Sequence, residues 1–171
     1  HMKEKNIAVE ILRKLMAEQI AIYKRTNIVQ ATTFSEKITL LMNTYYNGLI
    51  TNEEVIKELL KTAEEINSLR KEGEKLGLSE EELAFYDALT KPEHIKDLYE
   101  NETLIALTRE LTEMLRKNRT IDWQKKETAR AGMRKMVKRL LKKYKYPPEQ
   151  YEDAIETVMS QCELWTDHTE V

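Results

Sequence analysis

The sequence predicts an all-α protein, a single non-repetitive bundle of about seven to eight helices. Three observations carry that expectation. Apolar residues recur at helical spacing along almost the whole chain. Capping signals, a Ser, Thr or Asp ahead of an acidic first turn, recur between the apolar stripes. Four glycines and three prolines in 171 residues are too few for a fold built on tight β-turns.

The first helix is predicted over about Lys3–Tyr23, with Ile7, Ile11, Leu12, Leu15, Ile20 and Ile22 as its apolar residues. Lys24–Thr33 lacks a clear period and reads as an ordered connection or a helix break. Ser35 is the expected N-cap of the second helix, which carries Ile38, Leu41, Met42, Tyr45 and Tyr46 and ends at Gly48 in the C′ position. Thr51-Asn52-Glu53-Glu54 is a capping box, with Glu54 placed to reach back to the Thr51 N–H. The helix after it holds Val55, Ile56, Leu59, Leu60, Ala63, Ile66 and Leu69 and ends near Gly73 or Gly77. Ser79-Glu80-Glu81-Glu82 is a second box, its acids in the turn where the helix dipole favours them. Leu83, Phe85, Tyr86 and Leu89 are the packing residues of that short helix. Pro92 opens a further turn of helix through Tyr99, and Asn101 caps a helix with Leu104, Ala106, Leu107, Leu111, Met114 and Leu115. Asp122 caps a basic helix over Trp123–Tyr144, Trp123 anchoring it by packing. Its apolar face is Ala129, Met133, Met136, Val137, Leu140, Leu141 and Tyr144. Tyr146-Pro147-Pro148 stops it, fixes its angle to the next helix and starts that helix. The last helix carries Tyr151, Ala154, Ile155, Val158, Met159, Cys162 and Trp165.

Composition narrows the class. Hydrophobic residues make up 41% and charged residues 34%, and no apolar run approaches the ~20 residues of a membrane span. A single cysteine excludes an internal disulfide framework and a Cys-based zinc site. A cytoplasmic location without membrane contact is the expectation. His1 and Met2 read as a cloning scar, residues 3–165 as one helical domain and 166–171 as a frayed tail.

Catalytic and ligand motifs are scarce. His94 and His168 have no His or Cys at ligand spacing and read as surface residues. Cys162 falls on the apolar stripe of the last helix without a partner base and reads as a structural thiol. No Walker loop is present, since the close glycine pair Gly73 and Gly77 is followed by Leu78. No Glu-x-Lys or Asp-x-Lys provides the metal ligand and amine of a nuclease centre. The acidic pairs and triplets (Glu53-Glu54, Glu64-Glu65, Glu80-Glu81-Glu82) sit at caps and on solvent faces. No catalytic, cofactor-binding or metal-binding residue is expected in this chain.

Charge is the one feature with functional content. The formal net charge is −2, yet residues 125–145 hold ten Lys or Arg against a single acid, Glu127. Residues 146–171 hold seven acids and no Lys or Arg, and residues 51–102 hold fifteen acids and seven bases. Arg130, Arg134 and Lys138 step by four along the basic helix, and Lys135, Arg139 and Lys142 form a neighbouring stripe, with Lys143 beside it. Three readings stay open for these candidate binding residues. They solvate an exposed face and pair with the acidic segments, they bind another protein, or they track the phosphates of duplex DNA. Aromatic interleaving for single-strand stacking is missing, only Trp123 and Tyr144 flanking the charges.

Five segments go beyond a generic helical protein: Asn27-Ile28-Val29-Gln30; Leu76-Gly77-Leu78-Ser79 running on through Phe85-Tyr86-Asp87-Ala88-Leu89; Thr120-Ile121-Asp122-Trp123; Val137 to Tyr144; and Tyr146-Pro147-Pro148. In this order, across about residues 5–165, they resemble the C-terminal helical region of the restriction (R) subunit of type I restriction-modification enzymes. The resemblance implies a parent subunit with a nuclease domain, two helicase-like motor domains and a C-terminal helical region. That parent is an ATP-dependent type I site-specific deoxyribonuclease, with ATP and Mg as its cofactors. The implied role of the helical region is assembly: docking the motor–nuclease subunit onto the methyltransferase and specificity subunits. The motor domains of the same subunit are further implied partners. Direct, non-specific contact of the basic helix 123–144 with duplex DNA during translocation is the alternative.

Overall fold

The computed structural model describes residues 2–119 and 123–169, with side-chain surroundings for 6–119 and 123–166. The described residues form eight α-helices and no strand: α1 (Met2–Thr26), α2 (Ile28–Tyr46), α3 (Asn52–Lys75), α4 (Glu80–Leu89), the single turn α5 (Ile95–Leu98), α6 (Asn101–Asn118), α7 (Glu127–Lys143) and α8 (Tyr151–Thr169). Short 3-10 turns at Trp123–Lys125 and Pro148–Gln150 precede α7 and α8. The all-α, non-repetitive class is as the sequence predicts. Contacts gather the chain into two compact units, His1–Arg25 with Gln30–Gly77, and Thr26–Val29 with Leu78–Val171.

The first unit is built on α1, α2 and α3. Its core joins Val9, Met16, Ile20 and Tyr23 to Ala31, Phe34, Ile38 and Met42 and to Val55, Leu59 and Ile66. Two expectations fail here. The break between the first two helices is only Asn27, so Ser35 lies inside α2 and caps nothing. And Ile7, Ile11, Leu15 and Ile22, read as packing residues, face water, as does Leu60. The helix buries Val9, Met16 and Tyr23 together with the expected Ile20, and the expected Leu12 packs partly buried against them. Gly48 ends α2 at φ +74 in a Schellman motif: the Gly48 N–H donates to Tyr45 C=O at 3.0 Å and Leu49 N–H to Thr44 C=O at 3.1 Å. Thr51 caps α3 by accepting from Glu54 N–H at 3.1 Å, the first half of the expected box. Helix α3 runs through buried Gly73 and stops at Gly77, φ +71.

In the second unit α4 packs on α6 and α8, and α7 packs on α8 and α6. Phe85, Leu89, Leu104, Leu107, Leu111, Leu115, Met133, Val137, Leu141, Val158 and Met159 fill the interior. The capping box of α4 is complete: Ser79 Oγ accepts from Glu82 N–H at 3.1 Å and Glu82 Oε1 accepts from Ser79 N–H at 2.9 Å. Helix α6 begins one residue earlier than expected, with Glu100 in the N-cap position and no side-chain cap. The basic helix begins at Glu127, after a 3-10 turn, instead of at Trp123. The expected cap Asp122 and the preceding Thr120 and Ile121 lie outside the described residues. Trp123 is fully buried, its Nε1–H donating to Thr166 Oγ1 at 3.0 Å. Thr166 is therefore part of the interior, and α8 continues through Thr169, so the expected fraying does not start at 166. His168 lies outside the residues whose side chains are described.

Candidate functional site

Helix α7 presents its basic residues in two ways. Met133, Val137, Leu140 and Leu141 are buried, and the cations beside them are held within the unit. Arg130 pairs with Glu163 of α8 at 2.8 Å and donates to Gln124 C=O at 3.1 Å. Arg134 pairs with Glu156 of α8. Lys143 pairs with Glu110 of α6 at 2.7 Å. These three of the seven predicted binding residues pair internally, Arg130 and Arg134 with the acidic segment that follows and Lys143 with Glu110 of α6, and they tie α7 to its neighbours.

The other four do not. Lys135, Lys138, Arg139 and Lys142 are exposed and have no carboxylate partner among the described residues. At ~100° per residue they share an arc of about 100° on the side away from Val137. Their spacing (135 to 138 and 139, 138 to 142, 139 to 142) makes each an i,i+3 or i,i+4 neighbour of two others. Like charges so placed destabilise a helix by about 0.2–0.5 kcal/mol per pair. Folding does not call for this face. Arg134, Lys135 and Lys138 also line a shallow groove of about 190 Å³ with Glu152 and Ile155 of α8. The helix is 17 residues long, ~25 Å at ~1.5 Å per residue, shorter than the sequence suggests because its first turn is 3-10.

The end of α7 is fixed. Tyr144 O–H donates to Glu110 Oε2 at 2.6 Å, and Tyr99 O–H donates to Tyr144 C=O at 2.9 Å. Lys143 and then the Tyr144 hydroxyl hold the Glu110 carboxyl below its usual range. The same carboxylate, followed by burial, pushes the Tyr144 phenol up to about 12. Lys145 takes the left-handed conformation, φ +57. The chain closes with Lys145 N–H on Lys142 C=O at 3.1 Å and Tyr146 N–H on Leu141 C=O at 2.9 Å. Tyr146 is buried and donates to Leu89 C=O at 2.6 Å, which anchors the Pro147-Pro148 turn to α4.

Other candidates resolve as structure. Cys162 is buried, and burial pushes its thiol up to about 12, the opposite of an activated nucleophile. His94 is exposed at the start of α5. Among the described residues no group of three His, Cys, Asp or Glu is placed to hold a metal ion, and no helix is long and apolar enough to cross a membrane. The acidic run in the first turn of α4 is structural: Glu81 meets Arg116 at 3.1 Å and Arg119 at 3.2 Å, and Glu82 meets Arg109 at 3.6 Å.

One constellation was not foreseen. Asn27 Nδ2–H donates to Asp87 Oδ2 at 2.7 Å. The fully buried Gln161 accepts from Ile28 N–H at 2.8 Å and donates from Nε2 to Thr26 C=O at 2.7 Å. Two of the segments that carry the family resemblance, around Asn27 and around Asp87, thus meet. That shared membership was the only sequence signal for it.

An all-helical chain with one outward cationic face is a class shared by many interaction modules. Comparison with known proteins places it more narrowly. The chain belongs to the family described as "Type I restriction enzyme HindI endonuclease subunit-like, C-terminal", which matches residues 1–168. It is a C-terminal domain of a type I restriction endonuclease subunit. It is 41% identical over 159 residues to the Type I restriction enzyme HindI endonuclease subunit of Haemophilus influenzae, covering 93% of this chain and 15% of that protein. It is 31% identical over 140 residues to the Putative type I restriction enzyme MjaIXP endonuclease subunit of Methanocaldococcus jannaschii, covering 81% of this chain and 13% of that protein. The chain thus spans a small part of either relative's length. No solved structure matches it.

Proposed function

We propose that the chain is a non-catalytic assembly domain that docks its endonuclease subunit onto the methyltransferase–specificity core through the outward face of α7. The observation that supports this most directly is the quartet Lys135, Lys138, Arg139 and Lys142, exposed, mutually repulsive and without an internal acid. Such a face gains by meeting an acidic surface, where it speeds encounter and fixes register. Cys162 buried as a thiol and the lack of a metal-ligand group among the described residues fit a domain that performs no chemistry itself. The ATP and Mg chemistry of the parent subunit belongs, in this reading, to its other domains, and the assembled enzyme works in the cytoplasm.

The test is a titration of labelled chain with the methyltransferase–specificity core, without DNA, at near-physiological salt. Reversing Lys135, Lys138, Arg139 and Lys142 to Glu lowers affinity at least 10-fold, chiefly through slower association, while the helical circular dichroism is unchanged. Lys71→Glu, on exposed α3, leaves binding as it was. Equal affinity of the reversed and parent chains refutes docking through this face. Duplex contact through the same quartet predicts instead sequence-independent binding whose log affinity falls with log salt, a slope of about −0.9 per phosphate contact. Binding of that kind in place of core binding selects the DNA reading.

A further inference from the structure

Helix α1 carries two apolar faces. Val9, Met16, Ile20 and Tyr23 are buried in the core of the first unit. Opposite them Ile7, Ile11, Leu15 and Ile22 are 58, 53, 51 and 52% exposed. At ~100° per residue those four share an arc of about 80° on the side away from the buried set, and at ~1.5 Å per residue they form a strip ~22 Å long. Lys14 and Glu18 lie in the same strip. Scattered exposed apolar residues need no explanation, but four Ile and Leu gathered on one arc, with Glu18 among them, do.

We propose that this strip is where the domain is anchored in cis to the rest of its own subunit. An apolar face of that subunit covers Ile7, Ile11, Leu15 and Ile22 and places a cation or amide donor opposite Glu18. The proposal rests on the assignment of the chain as a C-terminal domain and not on docking through α7. Two facts choose the occupant. The chain spans 15% of the length of the Haemophilus influenzae relative, so most of a subunit of that length lies outside it. The strip also offers roughly 400 Å² of exposed side chain, about half of the ~800 Å² per partner that a stable intermolecular interface buries. That is little for a second copy. A tethered partner, present at an effective concentration on the order of millimolar, needs no such area.

Hydroxyl-radical footprinting read residue by residue tests this, on the 171-residue chain and on the full-length subunit, each without the core. Modification of Ile11 and Leu15 is expected to fall at least 5-fold in the full-length subunit, relative to exposed Leu98 as reference. In the shorter chain it stays independent of protein concentration. Ile11→Lys with Leu15→Lys, both at exposed positions, returns Ile7 and Ile22 in the full-length subunit to the level of the shorter chain. Equal modification in both proteins overturns the proposal. So does protection in the shorter chain that grows with concentration, which assigns the strip to a second copy, and so does protection only once the core is added. Reversing the four α7 cations leaves the α1 footprint unchanged, so failure of the docking reading and failure of this one are read separately.

Discussion

Replacing Gln161 with Leu is expected to loosen the point where α1 gives way to α2. The side chain is fully buried, and its amide serves two helix ends at once: it accepts from Ile28 N–H, at the start of α2, and donates to Thr26 C=O, at the end of α1. Leu has nearly the same volume, so little cavity is created and the loss is polar. An orphaned buried donor costs about 1–3 kcal/mol, and a lost carbonyl partner adds about 1 kcal/mol. The extra apolar surface of Leu returns part of this, leaving a net loss of about 2–3 kcal/mol. With a urea slope of about 2 kcal/mol per M, the unfolding midpoint falls by ~1 M. Equilibrium unfolding followed by circular dichroism measures it, and amide exchange at Ile28 locates it. A midpoint within ~0.2 M of the parent, with unchanged exchange at Ile28, refutes the claim that Gln161 holds the junction.

Gln161→Glu gives the same claim a pH signature. A protonated carboxyl reproduces both bonds, accepting from Ile28 N–H and donating to Thr26 C=O. An ionised one has no proton for Thr26 and carries a buried charge. The folded-state pKa is therefore raised above ~4.3. The variant approaches parental stability below about pH 4.3, loses it as pH rises through the raised value and at pH 7 is less stable than the Leu variant.

Three further outcomes follow from single positions. Lys145→Gly removes the penalty of a side chain in the left-handed region at the end of α7; stability rises by about 0.5–1 kcal/mol, a melting shift of ~1–4 °C, seen by thermal unfolding. Tyr23→Phe removes a buried hydroxyl that has no hydrogen-bond partner among the described residues, so it stabilises by about 1 kcal/mol in urea titration, where an ordinary buried Tyr→Phe change costs stability. Because Glu110 is held below its usual range by Lys143 and Tyr144, its contribution is present above ~pH 4.3 and is lost as pH falls through its folded value. Glu110→Gln is expected to flatten that acid limb, whereas an unchanged acid unfolding curve excludes the pin.

Where local chemistry decided structure, the sequence was legible. Ser79 and Glu82 form their box, Gly48 closes α2 with positive φ, and Pro147-Pro148 separates α7 from α8, because each depends on two or three neighbouring residues. What it misplaced depended on residues far away in the chain. Ser35 looks like a cap, but Gln161, 133 residues beyond Ile28, supplies the N–H partner that lets α2 begin earlier. The seven candidate binding cations could not be sorted by spacing, since Glu163, Glu156 and Glu110 decide which of them are tied down.

Helix α1 shows a different limit. Helical periodicity finds an apolar face but cannot say which of two faces is inside when both are apolar. Ile7, Ile11, Leu15 and Ile22 read as apolar as the inner face does, yet Val9, Met16, Ile20 and Tyr23 pack with Phe34, Ile38 and Leu59 and take the core. A helix selected only to complete this unit would gain solubility from Lys or Glu at the outer positions. Four apolar residues retained there are what the proposed anchoring in cis accounts for. On the two proposals made above, the exposed stripe of α1 serves the whole subunit and the basic face of α7 serves its partners.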